Sequence, residues 1–236
     1  MWVYLYPNNT ETELKNAYIG QGIWKPWSNT IAYYPLTDDF SDHKWSGTLY
    51  NLTNNTVSGN SVNLTTLNWV KCADMNWAYL SADFVINTLP CTLVFWNKWK
   101  SVNTNIFYLA FADSTRNWWW WWLTILNTST LRIRWWGSSY KYSDVSYSID
   151  TNWHMYCLVL SSSWWYLYID DDKSFNPTNA LNNPSWSWTP FRIGANEVGG
   201  SWFGNGYMWE VILENMAWTA TEKSKYYNLT KSNYWL

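Results

Sequence analysis

The chain is poor in glycine, poor in charge and nearly empty of histidine and cysteine. Ten glycines in 236 residues make about 4%, where an ordinary protein carries about 7%. Charged residues are 14% and the formal net charge is −2, with no dense basic patch to hold a nucleic acid and no acidic tail. No run of 18 apolar residues exists, so no helix is expected to span a membrane. The start, Met1-Trp2-Val3-Tyr4, lacks the basic residues and apolar run of a signal peptide, so export is expected to depend on a longer parent chain. Three cysteines, Cys72, Cys91 and Cys157, are an odd number without metal-ligand spacing. Cys91 and Cys157 sit in strand-like runs, which favours buried thiols over one disulfide plus a free thiol.

Familiar catalytic arrangements are missing as well. Gly-x-Ser-x-Gly is absent, and Gly199-Gly200 lies between strand-like segments rather than opening a helix. The two histidines, His43 and His154, have no shared metal spacing, and His154 reads as a packing or hydrogen-bonding residue. Glu210 and Glu214 would stand about 13 Å apart along a strand, too far for the roughly 5 Å pair of a retaining glycosidase. Both read as solvent-facing or structural. No catalytic residue is assigned, and no metal ligand.

Tryptophan is present in excess: 24 residues. Many stand where a chain normally turns. Trp45 lies in Lys-Trp-Ser-Gly, Trp77 follows Asn76, and Trp164-Trp165 close a serine-rich break. Trp186 and Trp188 alternate with serine between two prolines, Trp202 sits among glycines, Trp118 to Trp122 form a run, and Trp135-Trp136 precede Gly137. Hairpin turns commonly need φ > 0, which glycine supplies and tryptophan does not. Two readings follow. Either many of these codons are UGA, read as glycine by the source and as tryptophan here, or the protein is tryptophan-rich with aromatic faces suited to sugars. Trp96, Trp153 and Trp218 occupy strand or packing positions and read as true tryptophans.

The segment from Asn152 to Asp170 predicts a hairpin, with Trp153 to Leu160 and Tyr166 to Ile169 as strands around Ser161-Ser162-Ser163. Further strands are predicted at Thr30 to Leu36, Asn76 to Leu80, Thr92 to Trp96, Ile106 to Ala112, and Leu123 to Leu126 with Leu131 to Arg134 across a four-residue turn. In the last of these, Arg132 and Arg134 alternate with Leu131 and Ile133, giving one basic and one apolar face. Short strands recur at the spacing of all-β sandwiches. Thr219 and Glu222 have capping-box spacing and predict a short helix over about Thr221 to Tyr227. Asp38, Asp39 and Asp42 form an acidic loop, either a solvated turn or a structural calcium site. Asn-x-Thr triplets, among them those starting at Asn51, Asn54, Asn63 and Asn228, match the glycosylation pattern, which chance also produces in an Asn-rich chain.

Several of these motifs occur in a family order. Trp153-His154 with an apolar strand and Leu-Tyr-Ile-Asp, Thr92-Leu-Val-Phe-Trp96, Phe191-Arg-Ile-Gly194, and Tyr207-Met-Trp-Glu210-Val-Ile-Leu before the capped helix together resemble laminin G-like domains of the concanavalin A-like jelly-roll class. Trp209 stands where that pattern carries Asp. The resemblance covers about residues 29 to 230, leaving 1–28 as a linker or N-terminal extension and 29–236 as the domain. It implies an antiparallel two-sheet jelly roll of 12 to 14 strands. The function it implies is a noncatalytic recognition or adhesion module of an extracellular or cell-surface protein, binding a glycan or a protein partner, without nucleic acid, membrane span or obligatory cofactor. A structural module of a surface layer, pilus-like or phage-tail assembly is the alternative, and a glycoside hydrolase comes third. The ligand-binding residues are not assigned by sequence.

Overall fold

The computed structural model describes residues 29–44, 48–84, 89–101, 106–111, 121–136, 140–161, 164–171, 173–175, 191–195 and 203–231. The proposed extension, 1–28, lies outside them, as do Trp45, Trp118 to Trp120, Trp186, Trp188 and Trp202. Among the described residues are fifteen strands and one helix. They are β1 (Thr30–Tyr34), β2 (Thr53–Asn55), β3 (Asn63–Leu67), β4 (Val70–Asp74), β5 (Tyr79–Ala82), β6 (Cys91–Trp99), β7 (Ile106–Phe111) and β8 (Trp121–Asn127). After them come β9 (Thr130–Trp136), β10 (Tyr140–Ser146), β11 (Trp153–Leu160), β12 (Trp165–Ile169), β13 (Lys173–Phe175), β14 (Phe191–Ile193), β15 (Gly206–Glu214) and α1 (Ala220–Thr230).

They form two antiparallel sheets. One has eight strands in the order β13-β12-β11-β6-β15-β4-β3, with β1 also paired to β15; the other runs β10-β9-β8-β7-β14-β5-β2. The expected all-β jelly-roll sandwich with a short C-terminal helix is what forms. The main core lies between the sheets. Leu93, Phe95, Tyr156, Leu158, Trp165 and Leu167 enter it from the larger sheet, and Leu80, Leu131, Ile133, Val145, Phe191 and Ile193 from the smaller. Phe95 and Tyr156 stack at 5.2 Å between centroids.

The central strands of the larger sheet are largely apolar on both faces, with every residue buried except Lys98 and His154. That pattern requires a cover on the outside, and α1 supplies it. Val94, Trp96, Met155, Cys157, Val159 and Ile212 face outward into a second cluster closed by Trp218 and Tyr226. Trp96 stacks on Tyr227 at 5.8 Å. Buried Thr92 fixes the approach to the helix: its Oγ1 donates to the Met216 carbonyl and accepts from Trp218 N. The predicted capping box is present. Thr219 Oγ1 accepts from Glu222 N at 3.2 Å, and the Glu222 carboxylate accepts from Thr219 N at 2.6 Å.

Several expected boundaries shift. The β8–β9 turn has two central residues, Thr128 and Ser129, rather than four. Asn76-Trp77 form a tight turn before β5 rather than its first residues. Trp165, expected in a turn, is fully buried. Strand alternation explains this: Trp165, Leu167 and Ile169 point into the core, while Tyr166 and Tyr168 point outward. The three thiols are buried and free, and burial pushes Cys72 and Cys91 up to about 12 and Cys157 higher still.

Thr219→Ala removes half of the capping box. It should lower stability by about 1 kcal/mol, read as a shift in denaturant midpoint at constant m-value. No change would mean that packing alone holds α1.

Candidate functional site

Among the described residues, the outer face of the smaller sheet is exposed at β9 and β10 and covered at β14, where Arg192 is buried. Alternation on β9 sends Leu131 and Ile133 into the core and Arg132 outward; on β10 it buries Val145 and leaves Asp144 and Tyr142 exposed. Arg132 and Asp144 stand directly opposite in the register, and Tyr142 is the diagonal neighbour, within reach of a long side chain. Arg132 therefore meets both. Its Nε and Nη2 donate to the two oxygens of Asp144 at 2.5 and 2.7 Å, and its guanidinium lies 3.9 Å from the Tyr142 ring centroid. The arginine side chain is 19% exposed, the Asp144 side chain 40%, and Tyr142 48%. The result is a rigid, planar, partly open group presenting an aromatic ring beside a carboxylate.

A second group stands on the same face toward the other edge. Leu80 and Ala82 of β5 enter the core, so Tyr79 and Ser81 face out, and Arg192 of β14 pairs in register with Ser81. The Arg192 guanidinium sits 5.7 Å from the Tyr79 ring, which stacks on Phe203, and Asn55 Nδ2 donates to Ser81 Oγ. Three strand spacings separate β9 from β14, roughly 14 Å. The face thus carries two arginine–tyrosine pairs, one partly open at Arg132 and one buried at Arg192. The partly open pair could engage a ligand by stacking and directed hydrogen bonds; among the described residues neither pair offers a nucleophile–base arrangement.

The residues singled out by sequence lie elsewhere. Glu210 is 5% exposed and sits in a bulge of β15 at φ 47°. It lies where β15 exchanges one neighbour for another, β4 pairing before it and β1 after it. The Tyr33 hydroxyl donates to Oε1 at 2.9 Å, the Tyr226 hydroxyl donates to Oε2, and Glu210 N donates to the Pro35 carbonyl. Glu214, also buried, accepts from Thr30 Oγ1 at 2.7 Å. Neither glutamate faces solvent; both are structural. His154 is held between Asp170 and Asp150, at 2.6 and 3.0 Å, with Tyr147 edge-on to its ring. Burial disfavours its charge, yet the two carboxylates prevail and hold its pKa above the usual value.

The acidic loop disperses. Asp38 pairs with Lys71, and Asp39 meets Ser41 N and His43. Asp42 is buried, where its carboxylate accepts from the backbone N–H groups of Tyr33, Lys44 and Tyr50 at 3.0 Å each. Among the described residues no group of three or more His, Cys, Asp and Glu is arranged to hold a metal ion. A groove of about 520 Å³ runs along α1, but its described lining, Ala220 to Leu229, comes from that one helix, so no second element brings groups to it.

Sequence reading found Arg132 through its alternation and missed Tyr142, Asp144, Tyr79 and Arg192. The alternation of Tyr142, Asp144 and Ser146 with buried Val145 was the available signal for β10; nothing local announced that Arg192 would face Tyr79.

No protein-family model matches the chain, and no curated protein matches it. Solved structures do. Domain 4 of AbnA, an extracellular GH43 arabinanase from Geobacillus stearothermophilus determined with arabinotriose, is 16% identical with TM-score 0.68, over 84% of this chain and 98% of that one. A botulinum neurotoxin type C structure, described in connection with cell entry through two ganglioside molecules, is 10% identical with TM-score 0.63, over 85% of this chain and 51% of that one. The binding domain of botulinum neurotoxin DC with rat synaptotagmin II is 10% identical with TM-score 0.64, over 87% and 52%. The chain spans about half the length of the toxin domains. At these identities the likeness establishes the fold.

Burial lifts the Glu210 carboxyl to about 7, against the opposing hydrogen bonds from Tyr226 and Tyr33. A raised pKa in the folded state favours the protonated form there. The contribution is complete below the unfolded value of 4.5, and is lost as pH rises toward about 7, by roughly 3 kcal/mol in all. Glu210→Gln should flatten the fall in stability between those pH values, measured by urea titration at each pH. A slope unchanged from the parent would contradict this.

Proposed function

We propose that residues 29–236 form a noncatalytic glycan-recognition module, related to laminin G-like domains, within a secreted or cell-surface protein whose residues 1–28 connect it to a neighbouring segment. The observation that carries this reading is the Tyr142–Arg132–Asp144 group on the open sheet face. It provides an exposed ring for the apolar face of a sugar and a fixed carboxylate beside it for hydroxyls. The likeness to domain 4 of AbnA, which spans nearly all of that domain, supports it. The toxin domains are weaker guides, because half of each has no counterpart in this chain. A protein partner is the second reading, supported by a likeness to the toxin domain solved with synaptotagmin II. Recognition on this surface is proposed to be independent of metal, because Asp38, Asp39 and Asp42 are each engaged by a different partner.

Calorimetry with arabinotriose and a panel of oligosaccharides is the direct test. Saturable binding is expected, unaffected by a calcium chelator and weakened about tenfold or more by Tyr142→Ala, the equivalent of roughly 1.4 kcal/mol. Absence of binding to every glycan, or equal binding by the variant at equal melting temperature, would reject this site.

A further inference from the structure

Three two-residue turns in this fold share one backbone geometry. At Ser58-Gly59 the φ values are 49° and 85°, at Asn68-Trp69 they are 49° and 72°, and at Asn76-Trp77 they are 41° and 59°. Each pair is enclosed by hydrogen-bonded or register-paired flanks. Val57 and Asn60 exchange backbone bonds at 2.9 and 2.8 Å, Leu67 pairs with Val70, and Ala78 N donates to the Met75 carbonyl at 2.7 Å. Two successive residues with positive φ make a type I′ turn, whose preferred pair is Asn-Gly. The first turn has glycine at its second central position. The other two have tryptophan there, directly after asparagine.

Tryptophan is poorly suited to that conformation, because its Cβ crowds the carbonyl that follows. Nothing visible offsets the strain. Trp69 is 89% exposed and Trp77 is 40% exposed, and neither indole makes a ring contact or a side-chain hydrogen bond among the described residues. The contrast within the chain is sharp. Trp96 and Trp165 are fully buried, and Trp99, Trp153 and Trp218 are 3 to 5% exposed. One class of tryptophan fills the core, while the other stands in solvent at positions whose backbone calls for glycine.

We infer that positions 69 and 77 are glycine in the protein as its source makes it. Their codons would be UGA, read as glycine by the native translation machinery and as tryptophan in the written sequence. The scarcity of glycine beside 24 tryptophans is the compositional trace of the same event. The consequence for recognition is concrete: exposed indoles at such turns are not a sugar platform, and the ring that meets a ligand on the open sheet is a tyrosine, whose codons are untouched. This consequence leans on the proposed glycan surface; the recoding itself does not.

Two experiments decide it. The gene should carry TGA at codons 69 and 77; TGG at either overturns the inference for that site. Independently, the chain made as written is compared with the W69G/W77G and W69A/W77A variants by thermal melting. Glycine should raise the melting temperature by roughly 5 °C or more, and alanine, which has the same trouble at positive φ, should not reproduce the gain. Equal melting of the written chain and the glycine variant, or an equal gain with alanine, overturns the structural case. Glycan binding is read on the same proteins: loss of binding in W69G/W77G with Tyr142 intact would overturn the tyrosine assignment while leaving the codon result standing.

Discussion

The central strands of the larger sheet are buried on both faces, and most of the architecture answers to that constraint. β6 and β11 carry apolar residues at successive positions, so one set packs into the sandwich and the other would lie in water if the sheet were open. The C-terminal helix, through Tyr226 and Tyr227, and Trp218 just before it close the second side. The capping box starts that helix at the place where Thr92 holds the connection down. Lys223, itself buried, reaches from the helix to the carbonyls of Asp170 and Asp171, which ties the helix to the β12–β13 turn.

Glu210 joins the same assembly from the other end. The outer edge of β15 serves two short strands in succession, and a bulge at Glu210 separates them. A bulge turns its extra residue out of the ladder, and here the displaced carboxyl is received by Tyr33 of β1 and Tyr226 of the helix. One buried acid therefore connects strand, bulge and helix. It stays protonated to an unusually high pH because the surrounding apolar cluster disfavours its charge.

The helix covers the larger sheet, while on the smaller sheet the described outer face is exposed at Tyr142 and Asp144 and closed at Arg192, and both arginines lie over tyrosines. On the proposed glycan surface Arg132, bound on two sides, would lose little further freedom when a ligand arrives, which favours binding by a preformed surface. The dispersed acidic loop serves a different purpose: Asp42 satisfies three backbone donors and fastens the segment after β1 to the sandwich.

Most of the long strands and the capped helix were legible in the sequence, because they follow from local periodicity and from hydrogen bonds between near neighbours. Trp153 to Leu160 was legible to the residue, and the helix within a few residues, for that reason. The two-sheet class came with the family resemblance, and β10 and β13 were not read. Only the tertiary structure decided which side of each sheet is covered, that Glu210 and Glu214 are interior, that Trp165 is core and that Trp69 and Trp77 stand at positive φ. Those outcomes depend on contacts between residues more than a hundred positions apart, and on a bulge and two-residue turns that reset alternation by a single residue, which periodicity within one segment does not encode.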